Sequence, residues 1–386
     1  MAELVSSVVK YLTVKETNID NLVFKLYYKF TFILLFASSV LLHLTQFFGD
    51  PITCNFGQQY AEDYCWIHGS PVFSYNYPKE GSEGLLKMGC VVGQPTEGEK
   101  WGAVEEEDKP VTSYYQWVSF MLALQAGSFI LPYKFWKMME GGLMKSFGTE
   151  GKLKVMIGDD EPEHIGGVLK TKALDKFVYY YLSTFHRNTS YFLKFVGCEF
   201  MNLILLIANY KATDSFLNGN FASYGSDCLE FALLPPDESK YMRDPFCATF
   251  PTVVRCDYED VGAAGGYQNH DGLCILSQNI INQKVYLILW FWYNFLFCVS
   301  SAHLIFRVCT MLIQPLQQLL LEMRCYSRKK KEIKKTIRTI MAQCYIGDWF
   351  VLHQLSKNVN GHFFRAFLEE LNNRMTISQK KSGVIV

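Results

Sequence analysis

The stretch VYLILWFWYNFLFCVSSAHLIF, from Val285 to Phe306, is twenty-two residues long and carries no full charge. At 1.5 Å of rise per residue, about 20 apolar residues cross the ~30 Å hydrocarbon core of a bilayer. The stretch therefore predicts a membrane-spanning helix. Working outward, Phe30–Phe48 (nineteen residues) and Val111–Tyr133 (twenty-three) repeat the pattern. Phe195–Tyr210 is shorter, at sixteen residues, and is interrupted by Glu199, Asn202 and Asn209, although it extends back to Tyr191 or forward through Leu217. Hydropathy alone does not demand a span there. Charge placement does.

Residues 1–26, 134–191 and 307–386 together hold 26 Lys and Arg, whereas 49–110 and 211–284 hold 9. Cytoplasmic segments keep Lys and Arg near span ends, so the first group reads as inside and the second as outside. That assignment requires a crossing between 191 and 211. Both termini then lie in the cytosol. No cleavable signal peptide is evident, so the first span is itself the insertion signal. The predicted organisation is an N-terminal cytoplasmic segment 1–26, spans 27–48, 111–133, 192–213 and 285–306, outer loops 49–110 and 214–284, an inner loop 134–191 and a cytoplasmic region 307–386. The fold class is an all-α polytopic membrane protein with four transmembrane helices.

Composition agrees. Charged residues make up 19% of the 386, below the ~25% of a typical soluble domain, and aromatics reach 16%, which excludes a disordered or collagen-like chain. The formal net charge of +0 provides no global basic field for nucleic acid.

Seven cysteines fall in the outer loops: Cys54, Cys65, Cys90, Cys228, Cys247, Cys256 and Cys274. The outside is oxidising, so these can pair. Cys198, Cys298, Cys309, Cys325 and Cys344 lie in spans or cytosol and stay reduced. Seven is odd, and Cys228, close to the third span, is read as the free and buried one. The remaining six allow fifteen pairings. No close CxxC pair occurs and His is not clustered beside them, so no metal and no cofactor is expected.

These residues resemble the innexins, the invertebrate gap-junction proteins. The resemblance rests on YYQWVSFMLALQAGSFILPYKFWK from Tyr114 to Lys137, FGDPITC up to Cys54, YCWI around Cys65, FPTVVRC ending at Cys256, HDGLC ending at Cys274, NIINQKVYLILWFWY leading into the fourth span, and YIGDWFVLHQLSKN from Tyr345 to Asn358. It covers about residues 1–375. It implies a ring oligomer, octameric in the family, of identical or mixed innexin subunits around a wide pore. It also implies disulfide-linked extracellular loops of small mixed α/β structure and a helical cytoplasmic dome. Each ring is a hemichannel that docks on a hemichannel of the neighbouring cell and passes ions and small metabolites, which places the chain in the plasma membrane at the gap junction. The family's two cysteines per outer loop correspond to Cys54 and Cys65, and to Cys256 and Cys274. Nested bonds Cys54–Cys274 and Cys65–Cys256 are expected, with Cys90 and Cys247 as a third cross-link.

Candidate pore residues follow. Val5, Val8, Val9 and Leu12 make a helical stripe with Ser6, Ser7 and Lys10 largely off it. Such a helix either lies on the membrane surface or, as the resemblance implies, folds into the cytoplasmic pore entrance, with Val5, Ser6 and Val9 near the lumen. In the first span Thr31, Ser38 and Thr45 are seven apart and share a face. That stripe fits a wet pore wall, and fits close helix packing slightly better. His43 reads as a structural histidine. Asp50, at the outer end of the first span, would concentrate cations at the mouth. Glu199 is costly in lipid and must face the bundle or water, or sit at the inner headgroup boundary, which is the reading preferred here. Tyr114, Tyr115, Gln116 and Trp117 are read as packing and interfacial anchoring, and Pro132 as the end of the second span.

Among the cytoplasmic parts, 169–191 and 316–375 have helical periodicity. Arg328-Lys329-Lys330-Lys331 with Lys334 and Lys335 suits anionic lipid or calmodulin, or a solvated helix face. Val384-Ile385-Val386 would fit a PDZ groove. The sequon Asn188-Thr189-Ser190 falls inside, so no glycan is expected on the docking face. Competing classes are an undocked release hemichannel like the pannexins and a non-conducting tetraspan adhesion protein. The claudin tryptophan signature and the tetraspanin CCG motif are both missing, as are HExxH, GxSxG, DHHC and Walker motifs, so an enzyme is not expected.

Overall fold

The computed structural model describes residues 18–55, 59–68, 70–71, 111–112, 114–144, 174–235, 244–261, 265–325, 330–359 and 361–381. Four of its helices are long and apolar enough to cross a membrane: α1 (Leu22–Phe48), α3 (Val118–Glu140), α5 (Thr189–Phe216) and α8 (Ser277–Leu312). Between α1 and α3 lie β1 (Thr53–Cys54), α2 (Gln59–His68), β2 (Ser70–Pro71) and β3 (Val111–Thr112). A helix over 174–183, α4, precedes α5. Next come α6 (Phe221–Leu233), α7 (Pro245–Thr249), β4 (Val253–Val261) and β5 (Tyr267–Ile275), and after α8 come α9 (Gln314–Glu322), α10 (Lys330–Met341), α11 (Ile346–Asn358) and α12 (Gly361–Lys381).

Local chemistry explains where these helices start. Asn21 precedes α1 and its side-chain oxygen accepts the Phe24 N–H at 2.8 Å, satisfying one of the donors a helix start leaves unpaired. Asp244 does the same for α7, with Pro245 in the first turn, where its missing N–H costs nothing. The first six residues after Lys25 form a π turn, Leu26–Thr31.

Two expectations about the second span are corrected. It begins at Val118, because Val111–Thr112 is paired as a strand with Ser70–Pro71 and Tyr114–Gln116 is a 3-10 turn. Pro132 does not end it. The helix continues to Glu140. Proline forfeits one backbone bond, to the carbonyl four residues back, and packed helices tolerate that loss. Beyond it Trp136 is fully buried and donates its indole N–H to the Ile19 carbonyl at 2.8 Å, which holds the extra turns in place.

The chain divides into two compact units. One comprises 1–30, 130–204 and 299–386, the other 31–129 and 205–298. The first has an aromatic-rich core in which Trp136, Phe195, Trp349, Phe350, Phe364 and Phe367 are buried. The amphipathic α10 contributes Ile333, Ile337, Ile340 and Met341 to that core and leaves Lys331, Lys334 and Lys335 exposed. The second unit contains a three-stranded antiparallel sheet, order β1–β5–β4, packed with α2.

Candidate functional site

In the second unit the chemistry is covalent. The register puts Thr53 opposite Ile275 and Cys54 opposite Cys274, and the latter pair is bonded as a disulfide. β4 pairs with β5 along its whole length, and its Cys256 is bonded to Cys65 of α2. The two bonds are nested and pin the β4–β5 hairpin to both the strand and the helix of the first loop. Around them Ile52, Tyr115, Val254 and Leu276 are buried, with Tyr64, Trp66 and Tyr114 against them. Asn55 closes the strand end twice, donating its N–H to the Leu273 carbonyl and accepting the Leu273 N–H on its side-chain oxygen. Across the hairpin Tyr258 stacks on His270, its register partner, at 5.2 Å. Tyr267 and His270 are exposed at the far end of β5.

The YYQW motif joins the second span to this unit. Tyr115 is fully buried and packs on Trp66 at 4.7 Å between ring centroids. Tyr114 donates to the Thr249 carbonyl at 2.7 Å, and burial raises its phenol well above the ordinary value. The Gln116 amide donates to the Trp66 carbonyl. Trp117 alone is turned outward, 62% exposed. Cys228 is free and buried, and burial pushes its thiol up to about 12. Cys247 is also held in a disulfide. Cys90 lies outside the described residues. The sulfurs of Cys54, Cys65 and Cys274 lie close together, but all three belong to disulfides and offer no thiolate to a metal.

Two of the proposed pore residues are spent on packing. Thr31 is fully buried and its hydroxyl accepts the Trp292 indole N–H at 2.9 Å. Thr45 donates to the Gln278 side-chain oxygen at 2.8 Å, and Gln278 donates back to the Leu42 carbonyl. Thr31 and Thr45 thus turn toward α8, which rules out a lumen-facing stripe through both. A weakly polar face and a packing face look alike in sequence, and here the hydroxyls found partners on a neighbouring helix. Ser38 is half-buried and Asp50 exposed. Val5, Ser6 and Val9 lie outside the described residues. Further pairs tie the helices together: Ser39 to the Ser119 carbonyl, Gln125 to Thr213, Asn209 to Ser128 and Tyr293 to Gln125.

In the first unit the root of α1 is held by a polar network. Glu199 faces the helix bundle rather than water. It is 6% exposed, and its carboxylate accepts Arg307 Nε at 2.9 Å and Nη2 at 2.7 Å, contacts His303 Nε2 at 2.9 Å and accepts the Asn21 amide at 2.6 Å. A buried charge persists only when paired in this way. Asn18 donates its N–H to Asn358 Oδ1 at 2.7 Å and accepts the Asn358 amide at 2.9 Å. Tyr28 donates to Asp20 at 2.7 Å and stacks on Tyr133 at 3.8 Å. A second knot lies in the YIGDW motif. Asp348, fully buried, accepts from the His186 N–H, the Asn188 amide and the Tyr345 N–H. Gly347 lies against the Asn188–Thr189 backbone, where a Cβ would meet main-chain atoms at 2.4 Å. The sequon asparagine is therefore a structural ligand of Asp348.

Sequence reasoning did not single out Asn18, Asn21, Trp136, Arg307 and Asn358. The one available signal was Arg307, the first charge after a long apolar run and a natural partner for an intramembrane Glu. The basic run of 328–335 falls partly outside the described residues, which resume at Lys330.

Comparison with known proteins gives a consistent picture. The innexin family model matches residues 20–375. The chain is 34% identical to innexin inx2 of Drosophila melanogaster over 379 residues, covering 97% of this chain and 96% of that protein. It is 32% identical to innexin inx2 of Schistocerca americana, with 97% and 98% covered, and 30% identical to innexin inx3 of Drosophila melanogaster, with 97% and 89% covered.

Proposed function

The chain belongs to the innexin family, and from that premise we propose that it is a gap-junction channel subunit whose disulfide-pinned hairpin forms the docking surface between cells. The observation that carries the docking role is the pair of nested disulfides joining Cys54 to Cys274 and Cys65 to Cys256. A loop held only by its span ends samples many shapes, and cross-links remove that freedom before a partner arrives, so less ordering entropy is lost on contact. Innexins are channel proteins, and the work of this one is to replace lipid with an aqueous path.

The disulfide-bearing loops face outside, both termini face the cytosol, and the subunits form an octameric ring of identical or mixed innexins. Ser38, Asp50 and the N-terminal Val5, Ser6 and Val9 are the remaining pore-wall candidates. The exposed lysines of α10 meet anionic lipid rather than calmodulin. Calmodulin grips the apolar face of a target helix, and the apolar face of α10 is already buried in the first unit's core. Lipid headgroups need only the basic face. Paired-cell recording with this chain alone tests the reading. Junctional conductance between paired cells supports docking. Dye uptake into single cells without junctional conductance identifies an undocked release channel instead, and neither current leaves the adhesion reading.

A further inference from the structure

We propose that one face of α11, together with the end of α9, is a binding site for a phosphate-bearing anion, held by Arg324, His353 and Lys357 with Arg307 behind them. Phe350, His353 and Lys357 fall on one side of α11 at spacings of three, four and seven residues. The Arg307 guanidinium lies 5.7 Å from the Phe350 ring centroid, on that same side. Trp349 stacks on His353 at 5.4 Å and donates its indole N–H to the Gln317 carbonyl, which fixes α11 against α9, the helix that Arg324 follows.

The charges there do not balance. Glu199 is the carboxylate of Arg307 and His303, and Asp20 lies 3.6 Å from the Lys25 ammonium. Among the described residues Lys357 and Arg324 make no ion pair or hydrogen bond through their side chains. Their effect on each other is repulsive. Burial and then the Lys357, Arg307 and Arg324 charges push His353 down to about 3, while burial and then Arg307 and Arg324 push Lys357 down to about 8, with Asp20 and Glu199 pulling the other way. Unmet hydrogen-bonding capacity lies beside the unmet charge. Among the described residues His353 Nδ1 is buried without a partner, and the fully buried Gln354, next along the helix, has neither end of its amide bonded. Buried polar groups normally have partners, so two adjacent exceptions beside two unpaired cations mark a place for a ligand.

The ligand class follows from the donors. An ammonium, a guanidinium and an imidazole or amide need three acceptor oxygens, and a surplus of two positive charges matches the roughly −1.5 to −2 of a phosphate monoester near pH 7. A carboxylate has too few oxygens and half the charge. The site is separate from the basic run on α10. Its occupation reaches the root of α1 by contiguity, because Asn358, the residue after Lys357, holds Asn18 by two hydrogen bonds.

A phosphate ester in solution and a phospholipid headgroup share this chemistry, so the test has two arms. Thermal unfolding of the purified full chain is followed in micelles with increasing inositol trisphosphate, and in phosphatidylcholine nanodiscs with or without phosphatidylinositol bisphosphate. A saturable rise in Tm in micelles assigns a soluble ester, and a rise only in nanodiscs containing the charged lipid assigns the headgroup. In either case Arg324→Gln and Lys357→Gln are each expected to move the midpoint about tenfold upward, while Lys331→Gln on α10 leaves it in place. Arg324 is exposed, so Arg324→Gln decides the matter if Lys357→Gln does not fold. No saturable rise in either arm, an unchanged midpoint in Arg324→Gln, or equal loss in Lys331→Gln overturns the proposal.

Discussion

Replacing Cys65 and Cys256 together with serine is the most informative single perturbation of the hairpin. The two disulfides span 220 and 191 residues of sequence. Taken alone, each would close a very long loop. Because they are nested, the second to form closes only the path that runs through the first, and that path is 29 residues, the difference between the two separations. The chain-entropy relation then gives about 3.5 kcal/mol for losing the Cys65–Cys256 bond while Cys54–Cys274 remains. The assay is hydrogen exchange of the β4 and β5 amides in the purified protein, since β4 depends on Cys256 for its attachment to α2. A loss of 3.5 kcal/mol speeds exchange from the locally opened hairpin by about 300-fold. Exchange that rises less than about fivefold would refute the argument, because it would mean that the packing of Tyr115, Trp66 and Val254 alone holds the hairpin shut.

Three further outcomes follow from the same structure. Gly347→Ala places a Cβ at 2.4 Å from the Asn188–Thr189 backbone, which cannot yield as a side-chain end can. It is expected to cost ~3 kcal/mol or more in a thermal melt, and a loss under 1 kcal/mol would show that α11 can move away freely. Glu199→Gln strands the Arg307 charge and is expected to cost roughly 3–5 kcal/mol, whereas Glu199→Gln with Arg307→Gln costs less than the two single changes added; strict additivity would deny the pair its coupling. His353 stays neutral in the folded chain down to about 3 but takes up a proton near 6.5 when unfolded. The unfolded chain therefore binds the extra proton, and this stability is whole above pH 6.5 and lost as pH falls, by ~1.4 kcal/mol per unit, or ~2 kcal/mol by pH 5. His353→Gln is expected to flatten that part of the profile, and an unchanged slope would place the acid sensitivity elsewhere.

Much of the fold could be read from the chain because membranes impose a strong rule. A span must be apolar and long, and the excess of Lys and Arg on one set of segments required the weak third crossing, which appears as the 28-residue α5. The sequence is ambiguous where one physical property serves two ends. Thr31, Ser38 and Thr45 share a face whether that face meets water or another helix, and only the partners Trp292 and Gln278 decide. Pro132 lacks an N–H whether or not a helix can spare it, and the Trp136 contact with Ile19 lies outside any local pattern. Glu199 was recognised as costly in lipid, but its relief comes from Arg307, 108 residues away in sequence. The Gly347 contact is of the same kind. A glycine in a helix gives no sign of the backbone it will touch.

The two units fix their critical elements by different means, and this bears on which of them can respond to a signal. The β4–β5 hairpin is fastened by bonds that no change of pH or ligand breaks, with a buried aromatic cluster around them. The root of α1 is fastened by hydrogen bonds and ion pairs among Asn18, Asn21, Glu199, His303, Arg307 and Asn358. Each such contact contributes only ~1–3 kcal/mol, which is within the range a bound anion or a proton can supply. A surface that must meet its counterpart in one shape gains from the covalent arrangement. The non-covalent one leaves the segment that leads into the first span open to adjustment. The unpaired cations beside Asn358 are where such an adjustment would begin, since any ligand that neutralises Lys357 acts on the residue adjoining the clamp.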